Sequence, residues 1–200
     1  TANGSGTLTY TDVSDTTAAL VAATTRLSGD KNVTVTTAAT IAQLGTIDTA
    51  NGSGTLTYTD VSDTAAAVVA ATTRLSGNKN VTLTSAATIA QLGTIDTANG
   101  SGTLTYTDVS DTTAALVAAT TRLSGDKNVT VTTAATIAQL GTIDTANGSG
   151  TLTYTDVSDT AAAVVAATTR LSGNKNVTLT SAATIAQLGT IDTANGSGTL

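Results

Sequence analysis

The chain has no histidine, cysteine, methionine, tryptophan, phenylalanine or proline, and all fourteen of its acidic residues are aspartate. Each absence removes a class of chemistry. Zinc and copper sites are built from histidine and cysteine, and neither exists here. Serine or cysteine nucleophiles activated by histidine are excluded for the same reason. Disulfides are impossible, so cysteine says nothing about redox compartment. No apolar run reaches the roughly eighteen residues that a membrane-spanning helix needs. No basic stretch leading into an apolar run opens the sequence, so no signal peptide is legible. Eight basic residues against fourteen acidic ones give a net charge of −6, which argues against a nucleic-acid partner.

What is present is mostly threonine and alanine, 50 and 35 of the 200 residues. They are arranged in repeats. The string TANGSGTLTYTDVSDT begins at Thr1, Thr49, Thr97 and Thr145, a period of 48 residues. The chain therefore divides into copies 1–48, 49–96, 97–144 and 145–192, with 193–200 starting a fifth. Copies one and three are identical, as are copies two and four. Such identity fits either a recently duplicated natural array or a designed consensus. The two kinds of copy differ at Thr17/Ala65, Leu20/Val68, Asp30/Asn78, Val35/Leu83 and Thr37/Ser85. Leu20 with Val35 becomes Val68 with Leu83, which moves one methylene between two sites. Cores tolerate volume-conserving exchanges best, so these two positions are expected to face each other in one packed layer.

Within one copy, Thr7-Leu8-Thr9-Tyr10-Thr11 alternates as a strand does. Ser14 sits where a helix N-cap belongs, and the spacing predicts a helix over 15–27, stopped at Gly29. Asn32-Val33-Thr34-Val35-Thr36 predicts a second strand. A weaker helix is expected over 38–50, ended by Asn51-Gly52. The unit reads as β-α-β-α, and the array as an α/β tandem-repeat solenoid, a parallel sheet with helices on one side. Leu8, Tyr10, Val33 and Val35 should face the helices, as should Leu20, Ala23 and Leu27 from the other layer. The threonines should face away.

The outward face of the first helix is expected to be Ala18, Ala22 and Thr25. The same face recurs as Ala66, Ala70 and Thr73, as Ala114, Ala118 and Thr121, and as Ala162, Ala166 and Thr169. An exposed helix face normally carries charge. An uncharged small-residue stripe is therefore the candidate for lateral self-assembly. A further copy continuing the register at either end would extend the array, since unpaired strand edges template pairing. The alternative surface is the set of threonine columns, Thr9, Thr11, Thr34 and Thr36 with Thr57, Thr59, Thr82 and Thr84. Similar Thr-x-Thr arrays bind ice, and a glycan or mineral surface is the related option.

Other motifs carry less. Asp48-Thr49-Ala50-Asn51-Gly52-Ser53 hints at a calcium loop but lacks its closing acidic residue, so capping and turn roles are expected for the aspartates. Asn3-Gly4-Ser5 and Asn32-Val33-Thr34 match glycosylation sequons. Ser28 and Lys31 lie close together without an oxyanion site. The sequence thus predicts no enzyme, no cofactor, no metal site and no small-molecule substrate, with further copies of itself as the partner.

The strings Asp15-Thr16-Thr17-Ala18-Ala19-Leu20, Ala39-Thr40-Ile41-Ala42-Gln43-Leu44 and Ala50-Asn51-Gly52-Ser53-Gly54-Thr55-Leu56-Thr57-Tyr58 resemble repeats of very long bacterial extracellular proteins of the adhesin-like or hemolysin type. The resemblance covers the whole chain. It implies a secreted or surface-attached filament, sheath or adhesin stalk, and carries over no catalytic residue.

Overall fold

The computed structural model describes residues 6–200. The chain alternates short parallel strands with helices in units of about 48 residues. It falls into two compact units. One runs to Ser85 and adds Gln91–Thr105; the other takes Ala86–Ala90 and Tyr106–Leu200.

Up to residue 105 the elements are β1 (Asp12–Asp15), α1 (Thr17–Ala22), β2 (Asn32–Val35), α2 (Ile41–Ala50), β3 (Leu56–Thr57), β4 (Asp60–Asp63), α3 (Ala65–Ala70), β5 (Asn80–Leu83), α4 (Ile89–Ala98) and β6 (Leu104–Thr105). The remainder repeats them: β7 (Asp108–Asp111), α5 (Thr113–Ala118), β8 (Asn128–Val131), α6 (Ile137–Ala146), β9 (Leu152–Thr153), β10 (Asp156–Asp159), α7 (Ala161–Ala166), β11 (Asn176–Leu179) and α8 (Ile185–Asn195).

In the first unit β1, β2 and β3 pair in parallel, with Val13 beside Val33 and Thr34 beside Thr57. Strands β4, β5 and β6 repeat that order. Ala39 joins the two sets through a parallel bridge to Val61, its N–H donating to Asp60 O and its carbonyl accepting from Ser62 N. In the second unit β7, β8 and β9 pair likewise, and Ala135 bridges to Val157 of β10, which pairs β11.

The core is aliphatic. Leu20, Leu27, Val33, Val35, Leu44 and Ile47 are buried in the first copy, and Val61, Val68, Leu75, Val81 and Leu83 in the second. Val35 and Leu20 are both buried, as are Leu83 and Val68.

Two boundaries differ from the sequence pattern. The expected first strand over 7–11 survives as the two-residue β3 in the second copy, and the longer strand is Asp-Val-Ser-Asp, four residues further on. Leu8 is exposed, Leu56 is half-buried, and the fully buried position is Val61. Aspartate is a poor strand residue, but tertiary pairing overrides propensity here. Asp12 accepts from Asn32 Nδ2 at 2.9 Å and from Thr11 Oγ1 at 2.9 Å, so its carboxylate is satisfied within the sheet edge. The helix expected over 15–27 is the six-residue α1, about 9 Å long, followed by a 3-10 turn at Thr24–Arg26. Its N-cap is Thr16, not Ser14. The β-branched pair Thr24-Thr25 follows at once, and such residues crowd a helix. Ala23, expected against the sheet, is instead the exposed C-cap.

The second helix matches its pattern more closely. Thr40 Oγ1 accepts from Gln43 N while Gln43 Oε1 accepts from Thr40 N, a full capping box, so α2 starts at Ile41.

Candidate interaction surfaces

Because α1 begins at Thr17, Ala18 and Ala22 stand four residues apart on one face, with Thr25 beyond them on the 3-10 turn. All three are exposed. So are Ala66, Ala70 and Thr73, Ala114, Ala118 and Thr121, and Ala162, Ala166 and Thr169. None of the helices α1, α3, α5 and α7 carries a charged side chain. The stripe is a real exposed feature of each copy.

A second uncharged face lies beside it and was missed in the sequence pattern. Ala42, Gly45, Thr46, Thr49 and Ala50 of α2 form, with Thr24, an open groove of about 620 Å³. Thr120, Ala138, Gly141, Thr142, Thr145 and Ala146 form a matching groove of about 630 Å³ in the second unit. The threonine hydroxyls are turned inward: Thr46 Oγ1 donates to Ala42 O at 3.1 Å and Thr49 Oγ1 to Gly45 O at 2.8 Å. Their donors are spent on their own helix. The spacing of 42, 46 and 49 was visible in the sequence, but the weak helix pattern drew attention to Ile41, Leu44 and Ile47 instead.

On the sheet, Thr34 lies between Ser14 and Thr57, and Thr82 between Ser62 and Thr105. Thr34, Thr57 and Thr82 are in strands and exposed. Thr9, Thr11, Thr36, Thr59 and Thr84 are exposed too but stand outside the strands. Thr11 and Thr59 give their hydroxyls to Asp12 and Asp60. The column is thus of mixed serine and threonine, and narrower than the sequence suggested.

The aspartates are engaged by their neighbours. Hydrogen bonds from Asn32 and then Thr11 hold the Asp12 carboxyl below its ordinary value of 3.8, and Asp60, Asp108 and Asp156 are held down by the matching asparagine and threonine. The backbone N–H of Ser53, 2.8 Å from Asp30 Oδ1, lowers Asp30, and that of Ser149 does the same for Asp126. Asp48 pairs with Arg74 at 3.1 Å and Asp144 with Arg170 at 3.1 Å. Asp63 Oδ2 accepts from Ile41 N at 2.9 Å.

Tyr58 gives its hydroxyl to Arg74 O at 2.7 Å, and Lys79 Nζ lies 4.6 Å from its ring centre. Burial pushes the Tyr58 and Tyr154 phenols up. Among the described residues no group of three or more acidic side chains could hold a metal ion, and no helix is long and apolar enough to cross a membrane. Asn32 is exposed and donates through Nδ2 to Asp12; the Asn3 sequon lies outside the described residues.

No protein-family model, curated protein or solved structure matches the chain.

Proposed function

We propose that this chain is structural: a repeat array that associates end to end and side by side into an extracellular filament, sheath or adhesin stalk, with further copies of itself as partner. One observation carries the reading. Within each unit the junction between its two copies is built from the same groups. In the first unit Ala39 pairs with Val61, Ile41 N with Asp63, and Asp48 with Arg74. In the second unit Ala135 pairs with Val157, Ile137 N with Asp159, and Asp144 with Arg170. A surface that receives one copy receives the next by the same contacts, which is the condition for open-ended growth. The uncharged stripe through Ala18 and Ala22 and the groove beside it add a lateral surface free of charge repulsion. Sedimentation across a concentration series tests the reading. Self-association that rises with concentration supports it; one monomeric species throughout overturns it.

The second reading is a surface-binding array. It is favoured by the in-register, exposed Ser14, Thr34 and Thr57. Its discriminating observation is thermal hysteresis, or adsorption to glycan or mineral, by dispersed monomers.

A further inference from the structure

Every copy carries an Asn-Gly step, the dipeptide in which the following N–H reaches the side-chain amide with least steric obstruction. We propose that Asn51 and Asn147 are fold-gated deamidation sites, kept as amides while their rung is closed and converted to aspartate or isoaspartate once it opens. The reaction needs only solvent water. Gly52 N attacks Asn51 Cγ and loses its proton, the Cγ–Nδ2 bond breaks, and ammonia leaves. Water then opens the succinimide at either carbonyl.

The closed rung blocks each step. Asn51 is fully buried, with φ −83° and ψ −1°. That ψ nearly eclipses Gly52 N with the Asn51 nitrogen, a third of a turn from Cβ, whereas ring closure needs Gly52 N and Cβ on the same side. Asn51 Nδ2, the leaving group, donates to Lys31 O at 3.2 Å and to Gly54 O at 2.7 Å. Oδ1 is buried and accepts no hydrogen bond, so no donor stabilises the oxyanion of the tetrahedral intermediate. The following loop is pinned: Ser53 N donates to Asp30 Oδ1, and a Cβ on Gly52 would meet that oxygen at 2.5 Å. Asn147 repeats this, with ψ −1° and the same two carbonyl partners from Lys127 and Gly150.

The product does not fit the closed rung. A carboxylate has no N–H for the two carbonyls that Nδ2 serves, and a buried unpaired charge is strongly unfavourable. Opening is therefore recorded covalently, and the rung stays open.

The test incubates the intact chain at neutral pH, folded and in urea. Trypsin releases 32–74 and 128–170, which carry Asn51 and Asn147, for weighing. A reaction confined to the open form follows the open population, so the folded chain should deamidate at least about a hundredfold more slowly, with rates tracking the urea transition. Equal rates folded and unfolded overturn the proposal. A Gly54→Ala variant adds an internal comparison. Its Cβ would collide with Lys31 O, forcing the first rung open, and its peptide is distinguishable by mass. Asn51 should then react faster than Asn147 in the same molecule. Equal rates at the two sites, with amide exchange still protected around Asn147, also overturn it.

Discussion

The Asp63 carboxylate accepts from Thr64 N at 2.7 Å and from Ile41 N at 2.9 Å. It therefore closes its own strand end and also serves the first turn of a helix in the preceding copy, where negative charge is favoured. Asp63→Ala should cost about 0.5–2 kcal/mol, the range for losing a helix cap, and should speed amide exchange at the start of α2. Unchanged exchange over 41–44 would show that the contact contributes nothing. At the same scale, acid should destabilise the fold. Asp12, Asp30, Asp60, Asp108, Asp126 and Asp156 all have folded values below the ordinary 3.8. The stability they contribute is complete above that value and is lost as pH falls through the folded values. The melting midpoint should hold steady from neutral pH down to about pH 5 and fall below about pH 4. Asn78 and Asn174 occupy the Asp30 position and accept from Ser101 N and Ser197 N without a charge. Replacing Asp30 and Asp126 by Asn should therefore flatten the fall, and an unchanged pH profile would exclude those two carboxylates as its source.

Among the elements, β2 and α2 were legible in the sequence, because Asn-Val-Thr-Val alternates and Ile41, Leu44 and Ile47 recur at helical spacing, although the cap of Thr40 with Gln43 that starts α2 at Ile41 was not read there. The first strand was misplaced, since Thr-Leu-Thr-Tyr-Thr is the better strand by propensity. The paired segment is Asp-Val-Ser-Asp, whose acids take one partner from the adjacent residue and another from about twenty positions away, Asn32 for Asp12 and Ile41 for Asp63, and a local pattern does not contain the distant partner. The uncharged face of α1 was legible from helical spacing; the groove on α2 requires two elements brought together and was not. The reciprocal exchange at Leu20 and Val35 makes an element-scale prediction. Leu20→Val should leave a void and Val35→Leu should overpack. Combined in one copy they should compensate, with a coupling of about 0.5–3 kcal/mol in urea unfolding. Strict additivity would mean that the two side chains do not touch.

For the whole molecule, the proposed structural role rests on the junction repeated within each unit together with the uncharged outer faces. The most direct measurement is negative-stain electron microscopy of the wild-type chain beside a variant with Ala22, Ala70, Ala118 and Ala166 all changed to Glu. All four are exposed, so the variant should fold as the wild type does, which circular dichroism checks. The account predicts bundled fibres for the wild type and single, unbundled fibres for the variant. Dispersed particles in both samples at every concentration would contradict the structural reading, and equally bundled fibres in both would show that the alanine stripe is not the lateral contact.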